Sequence, residues 1–341
     1  MTSVIKLEYF VSPLISSEVN LFSYVNDIRM LKNFIENCNL DVKIESALLI
    51  NMAEEGYYPC DKVFNRIFPA GDECVFSPQD VVRLINGLIS TLEEFDSTVS
   101  THEIEWDSFI IYPKINFLSD NRKDRVIEFM KDLVMRKNIS GSEHAIFYSK
   151  VNDDEIESSF SLTAVVSGIY PELIEEPPFE WNCKVDTYLN TQSYFLSLNA
   201  MDLFSNSNSN QMLKCALYCG CVDFLKRNKT NYQVTWDAFR LGPDFYDSLV
   251  RNQCGPNQTY SAVVFETLVK VICRMPKNEV LPFRKTATSP EQRVSGDLKA
   301  FRTHITESHQ ALRLMFWVDA NRVISLANVG PKFEEEISPH N

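Results

Sequence analysis

The sequence predicts an α+β protein, in which a mixed α/β region over residues 1–231 precedes a smaller two-layer domain over residues 232–341. Three observations predict this. The chain has 341 residues, and at about 100–200 residues per domain that length favours two domains or three. Helical and strand-like periodicities both recur along it. Charge is uneven, since residues 1–231 hold 20 Lys and Arg against 34 Asp and Glu, a net of −14, whereas residues 232–341 hold 13 against 12, a net of +1.

Composition excludes several classes of protein. Apolar residues make up 45% of the chain, with only 10 glycines and 15 prolines, which is typical of folded cores rather than disorder. No apolar run reaches the roughly 18 residues of a membrane span, and the first residues lack the pattern of a secretory signal. We therefore expect no membrane association and a cytoplasmic location, with the nine cysteines as reduced thiols.

Periodicity indicates the elements of the first region. Apolar residues recur near a 3.6-residue period after a capping serine in the first long helix, and Ser77-Pro78 marks the start of another. Helices are predicted over residues 17–37, 44–55, 77–92 and 121–136, and strands over residues 3–12, 104–117, 145–151 and 160–166. The polar run from Lys226 to Asn231 gives the boundary between the two domains.

The second region predicts the order strand, helix, helix, strand, strand, strand. The strands cover residues 232–241, 300–305, 312–318 and 322–329, the helices cover residues 244–253 and 259–274, and a basic loop covers residues 277–299. Two helices cannot bury their apolar faces alone, but they can do so against one face of an antiparallel sheet. If the strands over residues 300–305 and 312–318 pair in register, alternation places Arg302, His304 and Arg313 together on the other, concave face.

Residues 311–316, Ala-Leu-Arg-Leu-Met-Phe, and residues 323–332, which end in Val-Gly-Pro-Lys, resemble the RelE/ParE toxin superfamily in this order of elements. The resemblance covers residues 232–341. It implies a compact toxin fold that acts on ribosome-bound mRNA or, in the ParE branch, on gyrase. It also implies that Arg313 matches the family's strand arginine and that Lys332 takes the basic position after the last strand. The family's terminal tyrosine is replaced by Phe333 or Ile337, and three acids, Glu334–Glu336, follow.

Cleavage of RNA needs a base for the 2′-hydroxyl, cations for the charged phosphorane and an acid for the leaving oxygen. Imidazole titrates near neutral pH, and guanidinium groups bind phosphate in a bidentate way. The candidate catalytic residues are therefore His304, Arg313, Lys332, Arg302 and His309. The candidate nucleic-acid-binding residues are Arg284, Lys285, Arg293 and Trp317, the last by stacking on a base. The simpler alternative is that these arginines and histidines are solvated surface residues.

No motif for a metal or a cofactor is present, so neither is expected. Cys215, Cys219 and Cys221 lack the second cysteine pair of a zinc site and are interpreted as core residues. The first hypothesis is a toxin-like effector, for example in antiviral defence, that acts on RNA or the ribosome and is restrained by its acidic region or by a partner. The alternative is a non-catalytic protein-interaction module in a larger complex. A small-molecule enzyme in the first region ranks last, because no motif indicates one.

Overall fold

Parallel and antiparallel strands are combined in both halves of the chain, which makes this an α+β structure. The computed structural model describes residues 1–17, 19–38, 40–68, 76–96, 102–151, 158–171, 177–286, 289–306 and 311–340. The chain forms two units, Met1–Ser193 and Tyr194–Asn341. Within the described ranges, none of the helices combines the length and the apolar composition needed to cross a bilayer.

The described residues of the first unit form a six-stranded mixed sheet. Its strands are β1 (Thr2–Ile5), β2 (Val42–Ile44), β3 (Glu103–Tyr112), β4 (His144–Phe147), β5 (Ser159–Tyr170) and β6 (Phe179–Tyr188), in the order β2-β1-β4-β6-β5-β3. The four strands β2, β1, β4 and β6 run parallel, whereas β5 and β3 are antiparallel to their neighbours. Parallel strands need crossover connections. Helices lie between β1 and β2 and between β2 and β4, whereas β4 and β6 are connected through β5.

The helices of the first unit are α1 (Leu7–Phe10), α2 (Ser12–Ile15), α3 (Leu21–Cys38), α4 (Leu48–Glu54), α5 (Asp61–Phe64), α6 (Pro78–Ile89) and α7 (Asp120–Ser140), and α8 (Thr191–Ser197) spans the division between the units. The predicted start of α6 is confirmed, because Ser77 and Asp80 form a reciprocal capping box before Pro78. The apolar side of α7 packs against β5 and β6 in a core that includes Val126, Met130 and Val185.

The second unit has its own sheet. Its strands are β7 (Phe239–Leu241), β8 (Val280–Pro282), β9 (Val294–Ser295), β10 (Leu298–His304), β11 (Arg313–Val318) and β12 (Ile324–Gly330), in the order β7-β12-β11-β10-β8, with β9 on β10. The predicted antiparallel pairing of the last three strands is confirmed. The sheet is mixed, however, because β7 pairs with β12 in parallel.

Four further helices, α9 (Ala200–Ser205), α10 (Asn210–Arg227), α11 (Phe245–Arg251) and α12 (Ser261–Ile272), accompany this sheet. Residues of α10, α11 and α12 share one core with the inward side of β11 and β12. Helix α10 contacts α12 so closely that a Cβ atom on Gly220 would lie 2.7 Å from the Phe265 ring. The sheet therefore carries its helices on one face, as the sequence predicts.

The sequence placed the domain boundary at residue 231, whereas the structure divides after Ser193. Residues 226–231 are polar because they end α10 and turn the chain, with Lys229 in the left-handed region at φ 49°. Residues of α10, among them Leu213, Leu217 and Cys221, are fully buried in the core of the second unit. In a sequence, a polar turn between two packed elements looks like a linker between domains. The burial of the flanking helix residues shows that this segment is a turn within one domain.

This division predicts how fragments behave. A fragment from Tyr194 to Asn341 is expected to unfold cooperatively on heating. A fragment from Tyr232 lacks α9 and α10, which leaves several apolar side chains of α12 uncovered, and each such core loss costs about 2–5 kcal/mol. We expect it to show no cooperative thermal transition by circular dichroism. Equal melting temperatures for the two fragments would contradict the observed boundary, and Gly220→Val in the longer fragment provides a graded control through overpacking.

Candidate functional site

The strongest cluster of predicted site residues lies on the face of the second sheet that points away from α11 and α12. His304 of β10 pairs directly with Arg313 of β11, and Arg302 pairs with Met315. Residues paired across an antiparallel ladder point to the same side, with Cβ atoms about 4.5–5.5 Å apart. The three side chains Arg302, His304 and Arg313, termed the cationic cluster below, therefore share one face, as the strand alternation predicts.

The cationic cluster has no carboxylate to balance it within the described part of the chain. Burial, and then the nearby charge of Arg302, lower the pKa of Arg313 from its usual value. Arginine nevertheless stays protonated, because its pKa lies far above neutral. Two guanidinium groups held close enough to repel each other, with no carboxylate partner among the described residues, form an arrangement that favours a bound anion.

Two nitrogens of the cluster are buried without a hydrogen-bond partner, namely Nδ1 of His304 and Nε of Arg313. Nearly all buried polar atoms in proteins find a partner, so these two nitrogens are places where a bound water would complete the hydrogen bonding. One other guanidinium nitrogen of Arg313 donates to the carbonyl oxygen of Lys332 at 2.7 Å. That bond fixes the direction of the Arg313 side chain and leaves other donors for a ligand.

The rest of this face is covered by the last residues of the chain. Trp317 is only 5% exposed, and its indole N–H donates to the Ser338 carbonyl at 2.9 Å. The side-chain amide of Asn328 accepts from the backbone N–H of Ser338 at 3.0 Å and donates to the Glu336 carbonyl. Ile337 packs on the small core that Trp317 and Met315 share. The segment 333–340, termed the tail below, thus lies along the sheet.

This coverage corrects the role expected for Trp317. A ring that stacks on a base needs an open face, but Trp317 lies in a core, with its N–H satisfied and His340 at its edge. Trp317 lies four residues after Arg313 on the same strand, so alternation correctly predicts that the two side chains share one face. The tail that covers that face has no periodicity by which the sequence could reveal it.

The other predicted residues have varied positions. Lys332 is exposed and contributes its carbonyl to Arg313, while its ammonium lies 5.9 Å from the centre of the Phe333 ring. Lys285 forms an exposed ion pair with Glu291. Arg293 donates to the carbonyl oxygens of Arg284 and Lys285, so it holds the basic loop together. His309 lies outside the described residues.

Sequence reasoning missed a cluster in the first unit. Lys6 and Glu8 follow β1, Glu45 follows β2, and Arg122 lies in the first turn of α7. The side chains of all four are 3% exposed or less. Arg122 makes two bonds of 2.7 Å to the Glu8 carboxylate and two of 2.7 and 2.8 Å to the Glu45 carboxylate. These residues are termed the buried charge quartet.

Ionisation in the quartet follows from its contacts. Burial opposes the charge on Glu45, but Lys6 and Arg122 together outweigh that effect and hold the pKa of Glu45 well below its usual range. Burial also lowers the pKa of Lys6. The lowered pKa of Glu45 favours its ionised carboxylate, whereas the lowered pKa of Lys6 favours its neutral amine. With Lys6 Nζ only 2.8 Å from Glu45, the ionised pair is the form that the geometry supports, so the quartet is electrically neutral as a whole.

Comparisons of the chain with protein-family models, with curated proteins and with solved structures found no match. The resemblance of residues 232–341 to the RelE/ParE superfamily therefore stays a prediction. Among the residues that the structure describes, no group of three His, Cys, Asp or Glu side chains could hold a metal ion.

The tail makes a testable contact. Deleting residues 333–341 removes both bonds to Asn328 and the bond to the Trp317 indole. We expect the fraction of tryptophan fluorescence that acrylamide quenches to rise, because the Trp317 ring becomes exposed. In a Trp317→Phe background the same deletion should leave that fraction unchanged. No rise in the first background would show that the tail does not cover Trp317 in solution.

The quartet predicts a large stability effect. Arg122→Met removes the guanidinium that pairs with the buried Glu8 carboxylate and leaves Glu45 with Lys6 alone, which costs about 3–5 kcal/mol. Arg125→Met, at a side chain that is 34% exposed, provides the matched control and should cost less than about 1 kcal/mol. Urea unfolding measures both. Equal losses would show that the quartet is not the main constraint.

The same pair of proteins tests the pH dependence. Because the folded-state pKa of Glu45 is depressed, its ion pairs stabilise fully above the ordinary glutamate pKa of 4.5 and fade as pH falls through the folded-state value. The difference between wild type and Arg122→Met should therefore shrink in acid.

Proposed function

We propose that the second unit is a toxin-like effector that binds RNA through the cationic cluster. The observation that carries the proposal is the pairing of His304 with Arg313, beside Arg302, on one sheet face without a carboxylate partner among the described residues. Phosphate groups supply the missing charge. Guanidinium groups bind them with charge-assisted hydrogen bonds and release counterions from the nucleic acid.

Binding is the primary part of the proposal, and cleavage extends it. In the described cluster, His304 carries the imidazole, the side chain that most often serves as a general acid or base, so it is the candidate to move protons at a bound ribose. Arg302 and Arg313 would stabilise the charged phosphorane. The ammonium of Lys332 lies 5.9 Å from the centre of the Phe333 ring, and its carbonyl accepts from Arg313, so we assign Lys332 a role in holding Arg313 through its carbonyl.

Restraint is the second element of the proposal. The tail bears Glu334, Glu335 and Glu336, and Glu334 lies against Gly330, the residue that pairs with Arg313. Acidic side chains there oppose the approach of an anionic ligand. Residues 1–231 carry a net charge of −14. This acidic region, or a partner protein, would restrain the cationic cluster in a similar way.

One observation favours the alternative, a protein-interaction module. The sheet face already holds a peptide segment, since Asn328 bonds to both the N–H and the C=O side of the tail backbone. A partner peptide could replace the tail in the same way. This alternative predicts that occupancy of the face depends on Asn328 and Trp317 rather than on the arginines.

RNA binding separates the two. Using the full chain and a labelled single-stranded RNA in fluorescence anisotropy, we expect Arg302→Ala with Arg313→Ala to weaken binding at least about 10-fold and to reduce the slope of log affinity against log salt by about 1–2. Arg251→Ala, an exposed arginine on α11, provides the matched control and should change neither value.

Two results would contradict the proposal. One is the absence of RNA binding by the wild-type chain at low salt. The other is an equal effect of the double variant and the Arg251 control. RNA binding without cleavage products would retain the binding role and remove the catalytic one.

A further inference from the structure

The positive charge on the second sheet extends beyond the cationic cluster, by way of the Phe283 ring. The guanidinium carbon of Arg302 lies 6.0 Å from the centre of this ring, and that of Arg293 lies 5.2 Å from it. Phe283 is 2% exposed and belongs to the small core that also contains Met315 and Trp317. Because that core lies on the face of the cationic cluster, Arg293 lies at the same face.

Phe283 and the basic loop together fix the position of Arg293. Aromatic rings attract guanidinium groups, and a ring as buried as Phe283 has no face left for a base. Two nitrogens of Arg293 donate to the carbonyl oxygens of Arg284 and Lys285, at 3.2 and 3.0 Å. The other terminal nitrogen is left for a ligand. An arginine that is already held in place loses little side-chain entropy when a ligand binds.

Arg302 has more unused donors than Arg293. Within the described ranges its guanidinium makes neither a hydrogen bond nor an ion pair, and its side chain is only partly buried. Arg293 and Arg313 are also partly buried, and neither has an ion pair with a described residue. Three guanidinium groups on one face therefore have donors left and no carboxylate partner in the described part of the chain.

Strand register places these three groups on one line across the sheet. On β10, Arg302 lies two residues from the direct partner of Arg313, so the two arginines are diagonal neighbours. Arg302 pairs with Leu281 of β8, and Phe283, two residues further on, has Arg293 against its ring. Diagonal neighbours on antiparallel strands lie about 7–8 Å apart. Arg313, Arg302 and Arg293 are termed the arginine diagonal below.

A row of cations suits a ligand with a row of anions. A single phosphate can lie between two guanidinium groups at most, and the remaining arginine would stay without an anion. A nucleic-acid strand carries one phosphate for each nucleotide, so it can supply one to each arginine and release a counterion at each contact. The arginine diagonal therefore favours a strand over a mononucleotide.

We propose that the second unit binds an RNA strand whose successive phosphates lie at Arg313, Arg302 and Arg293. This inference rests on the proposed binding of RNA at the cationic cluster, and it adds the course of the strand. His304 lies beside Arg313, so the phosphate at that end is the one placed for cleavage. Arg293 is a binding residue that holds the strand at a distance from His304.

The length of the ligand provides the first test. A uridine dinucleotide offers a single internal phosphate, whereas a uridine hexanucleotide offers a run of them. In isothermal titration calorimetry on the full chain at low salt, we expect the hexanucleotide to bind at least about 30-fold more tightly. That ratio exceeds what its larger number of binding registers can provide.

Variants test the position of Arg293. Arg293→Gln removes the charge but keeps an amide that can donate to the loop carbonyls. We expect hexanucleotide affinity to fall at least about 5-fold and the slope of log affinity against log salt to lose about 0.7. Lys299→Gln, at an exposed residue of β10 that alternates to the face opposite Arg302, is the matched control and should change neither value. Thermal unfolding of each variant checks that the fold is kept.

Two results would overturn this inference and leave RNA binding at the cationic cluster intact. One is equal affinity of the dinucleotide and the hexanucleotide. The other is an equal effect of Arg293→Gln and Lys299→Gln, in a chain whose hexanucleotide binding is still weakened by Arg302→Ala with Arg313→Ala. If that double variant has no effect on hexanucleotide binding either, the proposed function fails and this inference fails with it.

Discussion

The first unit depends on one buried guanidinium group. Arg122 donates four hydrogen bonds to two carboxylates that follow two different strands. Moving such charges out of water costs several kcal/mol for each ion, and only close, well-directed partners compensate for it. Because Glu8 follows β1 and Glu45 follows β2, the two strand ends and the start of α7 must keep fixed positions.

The second unit depends on coverage of both faces of a sheet. Helices cover one face with a large core, and the tail covers part of the other around Trp317. Only the part near β10 is left for the cationic cluster. Asn328 holds the tail by two hydrogen bonds, one to a backbone carbonyl and one from a backbone N–H. Few contacts therefore decide how much of this face the tail covers. A ligand or partner that competes with the tail would therefore enlarge the available surface.

Local signals predicted more of the fold than of the sites. The Ser77-Pro78 start of α6 and the alternation that brings His304 and Arg313 to one face both follow from rules that act over a few residues. The alternation in Phe179–Tyr188 was also present in the sequence as a strand signal, although β6 was not predicted from it. The quartet joins residues 114 and 77 positions apart, and no periodicity connects them. Its sequence signal is slight, two charged residues inside the apolar run that follows β1.

Unpaired charges, rather than the net charge, determine what the second unit can recognise. Among the described residues Arg302 and Arg313 have no carboxylate partner, so the ligand expected there is negative. In the first unit the buried charge quartet shows the opposite case, because its two cations and two anions compensate one another at hydrogen-bond distance. A net charge of −13 describes neither place, because paired charges contribute to the total but leave little for a ligand. A surface on which two arginines stay unpaired can therefore attract an anion even in an acidic chain.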